Sequence, residues 1–147
     1  MGIAPLYFLG STLKDKGMDL ANITVFIGCR STEDLLCRGE FLELGMNVHF
    51  TTDDGSGGEK GFITEPLEKA ILQQSPDMIC ACGPLPMLKE TARISEKYRI
   101  PCQISIETIM ACGIGACLGC IVETRENSDK YLHACKDGPV FDAKKFG

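Results

Sequence analysis

The sequence has no tryptophan, two histidines and an aromatic share of only 7%. His49 and His133 read as strand-face residues rather than catalysts or ligands, and no general-base constellation for proton transfer to a substrate can be assembled. Long apolar runs are also missing: stretches such as residues 23–27 are far too short to span a bilayer. The basic, apolar and small-residue succession of a secretory signal does not open the chain. Positive charge is scarce and dispersed, with 15 Lys and Arg against 20 Asp and Glu and a net charge of −5. Scattered cations give no footprint for nucleic acid or for an anionic membrane surface. The expectation is a cytoplasmic protein with neither of these as a partner.

What is present is an ordinary 44% of hydrophobic residues in 147, enough for one soluble domain or one with a small appendage. The unusual feature is nine cysteines. Their number is odd and only some of them cluster, so metal or redox chemistry is a stronger reading than a disulfide framework.

Residues 1–106 alternate between helical and strand patterns. Pro5 suits a first helical turn, Leu6, Leu9 and Leu13 follow at helical spacing, and Gly17 supplies a stop. Residues 23–27 form a β-branched and aromatic run expected to be a strand buried on both faces. Ser31 or Thr32 is placed to cap a helix carrying Leu35, Leu36, Phe41, Leu42 and Leu44 before Gly45. Residues 47–51 alternate as a strand, and Gly55, Gly57, Gly58 and Gly61 make a mobile loop around Lys60. A helix over 63–73, a strand over 78–81, a helix opened by Pro84 and broken by Pro101, and a strand over 103–106 complete the series. Strands separated by helices imply parallel crossovers, hence an α/β doubly wound parallel sheet. From residue 107 glycines and cysteines crowd together, and 121–124 with 131–134 read as a hairpin across the polar turn 125–130. The division expected is an α/β module over 1–106 and a small subdomain over 107–147 that needs a metal centre to stay folded.

The segment Cys112-Gly113-Ile114-Gly115-Ala116-Cys117-Leu118-Gly119-Cys120 is C-x4-C-x2-C, with Cys135 as a fourth sulfur after a gap of 14 residues. That spacing is the plant-type [2Fe–2S] pattern. Two ferric ions, two sulfides and four thiolates together carry a charge of about −2, which must be met by uncharged donors close by. Gly113, Gly115 and Gly119 are expected to take positive φ and turn successive N–H groups inward as an anion nest. Ala111 and Ala116 leave room. A structural zinc site from the same four cysteines is the competing reading, although zinc ribbons favour a C-x2-C knuckle on both sides. Cys29, Cys37, Cys80 and Cys102 lie within apolar elements and read as small core residues.

Three short motifs fall where a parallel sheet puts its carboxyl ends, the place where such folds bind ligands. They are Gly2-Ile3-Ala4-Pro5-Leu6, Gly28-Cys29-Arg30-Ser31 and Cys82-Gly83-Pro84-Leu85-Pro86-Met87. In this order, ahead of the cysteine loop, they resemble the pyridine-nucleotide module of the ferredoxin reductase superfamily. More closely, residues 110–117 and Cys135-Lys136-Asp137-Gly138-Pro139-Val140-Phe141 resemble the electron-transfer subunit of type B dihydroorotate dehydrogenase, and the resemblance runs through practically the whole chain. It implies a heteromeric oxidoreductase of pyrimidine biosynthesis, a heterotetramer in which NADH reduces FAD and electrons pass singly through a [2Fe–2S] cluster on Cys112, Cys117, Cys120 and Cys135. They reach FMN in a catalytic partner, where dihydroorotate and orotate interconvert. It further implies that Gly2 belongs to the glycine turn under the pyrophosphate, that Gly28 and Arg30 line the cofactor cleft, and that Cys82 and Gly83 lie near the nicotinamide.

Asp53 and Asp54 stand where NADP-using relatives carry serine and basic residues. A carboxylate accepts a bond from a free ribose hydroxyl and repels a 2′-phosphate, so NAD is expected; an ordinary acidic turn is the plainer reading. Two family features are missing from the 147 residues: an N-terminal FAD-binding β-barrel, and the first strand with most of its glycine turn. In the strand order 3-2-1-4-5 that strand is central, so two interior strands are expected to lack a neighbour. The expectation is therefore no FAD on this chain, weak NAD binding at best, and no activity alone. A sulfide dehydrogenase or NADH-dependent ferredoxin:NADP oxidoreductase small subunit shares a similar cysteine loop, and a zinc-stabilised interaction module is the alternative of another class.

Overall fold

The computed structural model describes residues 2–125 and 131–146. By internal contacts it divides into a unit of Ile3–Ser75 and a unit formed by Gly2 with the residues from Pro76 onward.

In the first unit, α1 (Ile3–Asp15) precedes the parallel pair β1 (Thr24–Cys29) and β2 (Asn47–Thr52), joined through α2 (Arg38–Leu44). A two-residue strand β3 (Glu59–Lys60) adds to β2 in parallel, and α3 (Thr64–Gln73) follows. The core gathers Leu20, Ile27, Phe41 and Met46, with Leu6, Tyr7 and Leu13 of α1 packed against them. The Tyr7 and Phe41 rings meet edge to face at 5.6 Å. Gly45 ends α2 with φ 95°, and Met46 N–H returns to the Phe41 carbonyl, a Schellman cap that satisfies the final carbonyls.

The second unit pairs β4 (Ile79–Cys82) in parallel with β5 (Cys102–Ser105), connected by α4 (Leu85–Tyr98). Leu88, Thr91, Ala92 and Ser95 bury one face of α4 at helical spacing. After β5 comes the cysteine loop, then the hairpin β6 (Ile121–Glu123) and β7 (Tyr131–His133), whose expected turn, 125–130, lies outside the described residues but for Arg125. The short helix α5 (Ala134–Asp137) leads to β8 (Val140–Asp142), antiparallel to β5.

The mixed α/β class with parallel strands agrees with the sequence pattern, and several details depart from it. The strands form two three-stranded sheets, β1-β2-β3 and β4-β5-β8, and among the described residues β1 and β4 each have one hydrogen-bonded neighbour. Accordingly β1 is not buried on both faces; only Ile27 is buried, and Thr24 and Gly28 are exposed. Neither Ser31 nor Thr32 starts α2. The Thr32 hydroxyl and N–H are both bonded to Ser56 Oγ, at 3.0 and 2.8 Å, so Thr32–Asp34 make a separate 3-10 turn and α2 begins only after Cys37 at φ 58°. The glycine-rich loop is itself tied down, with Thr52 Oγ1 donating to the Gly57 carbonyl at 2.7 Å. Of the four cysteines read as core residues only Cys102 is buried; Cys29 and Cys37 are half-buried, and Cys80 lies on the exposed side of β4 opposite Gln103.

Candidate functional site

The cysteine loop winds without regular structure from the end of β5 to β6. Gly113 and Gly115 have φ of 69° and 78°, a left-handed path that L side chains resist. The third positive φ of the loop belongs to Leu118 at 60° and not to Gly119, which corrects the sequence expectation. Gly119 serves instead as a donor, its N–H reaching Cys117 Sγ at 3.4 Å.

This path aims amides at sulfur. Ala116 N–H lies 3.4 Å from Cys112 Sγ. Together with the N–H groups of Ile114 and Cys117 and the Cys117 side chain, it lowers the Cys112 thiol from 9.0 to about 6. These bonds favour the thiolate of Cys112, the form that binds metal. Cys135, on α5, hydrogen-bonds Cys120, and this contact together with burial raises its pKa, while the Gly115 N–H opposes the rise.

The four sulfurs thus fall into two pairs, Cys112 with Cys117 and Cys120 with Cys135, and the second pair is close enough to Cys112 for its charge to be felt at Cys135. Among the described residues, no three His, Cys, Asp or Glu side chains converge tightly enough to hold one metal ion. A tetrahedral zinc requires all four ligands around a single point. Two irons bridged by sulfide need one pair each, so the donor set and its amide cradle fit a two-iron centre better than a lone ion.

The residues read as nucleotide-binding fall into two groups, one in each unit. In the first unit Arg30, Ser31, Glu33, Asp34, Asp53 and Asp54 line an open groove at the carboxyl ends of β1 and β2. Arg30 is paired with Asp34 at 3.2 Å. The Asp54 carboxylate accepts the Ser56 N–H at 2.8 Å, and bonds from Ser56 are the main cause of its lowered pKa. Asp54 is spent on its own turn; Asp53 has no side-chain partner among the described residues and remains available to a ligand. The Cys29 thiol beneath is raised first by burial and then by Asp34, Asp53 and Asp54. Gly28 does not line the groove: a Cβ there would lie 2.9 Å from Ile63 Cβ, so close packing already explains the glycine.

In the second unit Gly2, Cys82 and Gly83 come together. Gly2, at φ 84°, lies so close to the Cys82 carbonyl that any side chain would overlap it. Gly2 N–H donates to Glu107 Oε1 at 3.2 Å and the buried Cys82 thiol reaches the same oxygen at 3.7 Å. Burial raises the Cys82 pKa, with Glu107 adding to the rise and Ser105 opposing it. Glu107 is not legible as a site residue in the sequence; an acid just past the end of β5 has no local signature, and only the topology brings it to Cys82.

The oxidoreductase NAD-binding domain model matches residues 1–93, and the model of the iron–sulfur cluster binding domain of dihydroorotate dehydrogenase B matches residues 107–147. The chain is 42% identical over 146 residues to the electron transfer subunit of dihydroorotate dehydrogenase B (NAD(+)) from Caldanaerobacter subterraneus subsp. tengcongensis, covering 99% of this chain and 55% of that protein. It is 40% identical over 143 residues to the subunit of the same name from Shouchella clausii, covering 96% and 52%. A chain from the structure of the NADH-dependent reduced ferredoxin–NADP oxidoreductase, studied for flavin-based electron bifurcation, superposes with a TM-score of 0.78 at 32% identity, covering 98% of this chain and 50% of that one. The chain spans about half the length of the curated relatives it matches. It belongs to the oxidoreductase NAD-binding domain family and carries, from residue 107, the iron–sulfur cluster binding domain found in dihydroorotate dehydrogenase B.

Proposed function

We propose that the chain is the nucleotide- and cluster-carrying part of an electron-transfer subunit, passing electrons between NAD(H)/FAD and an FMN-containing partner in the oxidation of dihydroorotate to orotate. The observation that carries this reading is the two-by-two arrangement of Cys112, Cys117, Cys120 and Cys135 under a cradle of backbone N–H groups. A [2Fe–2S] centre bound there would supply one-electron transfer. The chain's own residues hold and insulate it: the cysteines ligate, and the amides of Ile114, Ala116 and Cys117 neutralise charge without adding a proton.

Asp53 accepts ribose hydroxyls in the groove it lines and excludes a 2′-phosphate, which makes NAD the nucleotide. Cys82 and Gly83, with Glu107 behind the thiol, serve the nicotinamide. The partner docks on the cysteine loop, whose Ile109, Met110, Ile114 and Leu118 are exposed although apolar, with Ile109 at 84%. Uncovered side chains of this kind are the mark of an interaction surface. No described helix is long and apolar enough to cross a membrane.

The likeness to the NADH-dependent ferredoxin–NADP oxidoreductase favours a second reading, a small subunit of that enzyme, in which ferredoxin replaces dihydroorotate in the electron path. The test is analysis of anaerobically purified protein. Iron and acid-labile sulfide in equal amounts, with an EPR signal on reduction, support the proposal, and stoichiometric zinc without visible colour refutes it. Co-purification with an FMN-containing dihydroorotate dehydrogenase separates the first reading from the second.

A further inference from the structure

His133 ends β7 two residues before Cys135, and its imidazole is fenced on three sides. The Tyr131 ring stands edge-on to it with centroids 5.4 Å apart. Asp137 Oδ2 accepts the His133 backbone N–H at 2.8 Å and lies 3.7 Å from Nδ1. The Cγ–Cδ2 edge lies against Gly115, where an added Cβ would be 3.7 Å from both ring atoms. What remains is Nε2, buried and without a hydrogen-bond partner.

Buried polar atoms are nearly always paired, so an orphan asks what pairs with it. The surroundings narrow the answer. The Gly115 N–H is itself bonded to Cys135, so the ring rests on backbone that belongs to the sulfur cradle. The 3.7 Å separation at Nδ1 is too long for an N–H···O bond, so Nε2 is the ring nitrogen left to carry a hydrogen into the buried space. Sulfide and thiolate sulfurs are acceptors that such a hydrogen can serve.

Resting on the iron–sulfur reading above, we propose that His133 Nε2–H is a side-chain hydrogen-bond donor to a sulfur of the centre. Asp137 is the positioning residue that fixes the ring through its backbone bond. Hydrogen bonds to the sulfurs help set the reduction potential of such clusters. A donor stabilises the more negative reduced state most, so His133 raises the potential. Ligand spacing alone gives no hint of this, since His133 reads simply as one more residue on a strand face.

The experiment uses the full chain purified anaerobically, with 15N-labelled histidine, at one fixed pH. Pulsed EPR of the reduced protein is expected to show a 15N hyperfine coupling that persists in His49→Gln and vanishes in His133→Leu. In a redox titration His133→Leu should shift to a more negative potential with iron and sulfide unchanged. His133→Gln, which keeps an N–H donor, should recover part of the shift. Asp137→Ala should follow His133→Leu, and Asp137→Asn, which keeps a carbonyl acceptor, should stay near the parent. If His133→Leu fails to hold its iron, the coupling in the unmutated chain decides the matter. Absence of that coupling in a chain loaded with iron and sulfide overturns the role of His133 and leaves the iron–sulfur reading standing. A chain that holds neither iron nor sulfide overturns both.

Discussion

The Cys82 thiol lies 3.7 Å from Glu107 Oε1, and the carboxylate keeps it protonated. Burial is the first cause of the raised thiol pKa, and Glu107 adds to it both as a negative charge and as the acceptor of the S–H. Replacing Glu107 by Gln removes the charge and so lowers the thiol pKa. Because a drop of one in pKa is a tenfold change in thiolate fraction, iodoacetamide labelling of Cys82 at pH 8 should quicken by up to about tenfold. Peptide mass spectrometry over a time course reads the rate; an unchanged rate would leave burial as the sole control.

Ligand identity has a sharper test. Cys117 is exposed and receives the Gly119 N–H, while Cys37 stands just before α2 in the other unit, packed against the core around Phe41. Cys117→Ser is expected to abolish or severely weaken the visible absorption and the iron content. Cys37→Ser should leave both intact at a small cost in stability, about 1 kcal/mol for a polar group at a half-buried site. Equal loss from the two variants would sink the ligand assignment.

The two acids of the groove are predicted to differ. Asp53 has no side-chain partner among the described residues and Asp54 Oδ1 accepts the Ser56 N–H, so Asp53 is the freer of the two to serve a ribose. Asp53→Ala should weaken NADH binding by about 10-fold or more, the worth of one hydrogen bond to a charged group, and narrow the preference over NADPH. Asp54→Ala should mainly loosen the turn and Ser56, lowering stability while leaving the NADH-to-NADPH ratio unchanged. Calorimetric titration of both nucleotides into each variant distinguishes these outcomes. The Asp53 assignment fails if the two variants behave alike.

What can be read from the sequence follows from local chemistry. The helical spacing of Leu88 and Ala92, the strand over β2 and the Gly45 stop are all written in neighbouring residues, and the structure places them as read. The departures come where a distant residue decides. The start of α2 is not where its capping pattern puts it, because Ser56, in the glycine-rich loop, takes the Thr32 groups that would have capped a helix. The return of Phe141 to pair with Ile104 in β8 leaves no signal in three residues. The positive φ expected at Gly119 is adopted by Leu118 instead, while the Gly119 N–H lies 3.4 Å from Cys117 Sγ. Cys80 reads as core because its run is apolar, yet strand alternation puts it opposite Gln103 on the exposed side.

Cys102, by contrast, sits in the core of the second unit at 5% exposure, and burial pushes its thiol from 9.0 up to about 11. The folded-state pKa is raised, so folding favours the neutral thiol. The contribution is fully present below pH 9 and is lost as pH rises through about 11, where the folded protein must ionise a buried sulfur. A rise of that size corresponds to about 2–3 kcal/mol across the window. Lysines and tyrosines also titrate there, so the measurement is a difference: urea unfolding of the parent and of Cys102→Val at pH 8 and at pH 11. Valine fills nearly the same volume without a proton to lose, so the variant should unfold at a urea concentration close to the parent's at pH 8 and above the parent's at pH 11. Parallel loss of stability in both proteins would mean that Cys102 does not ionise in the unfolded chain at a lower pH than in the folded one, and that its burial is incomplete in solution.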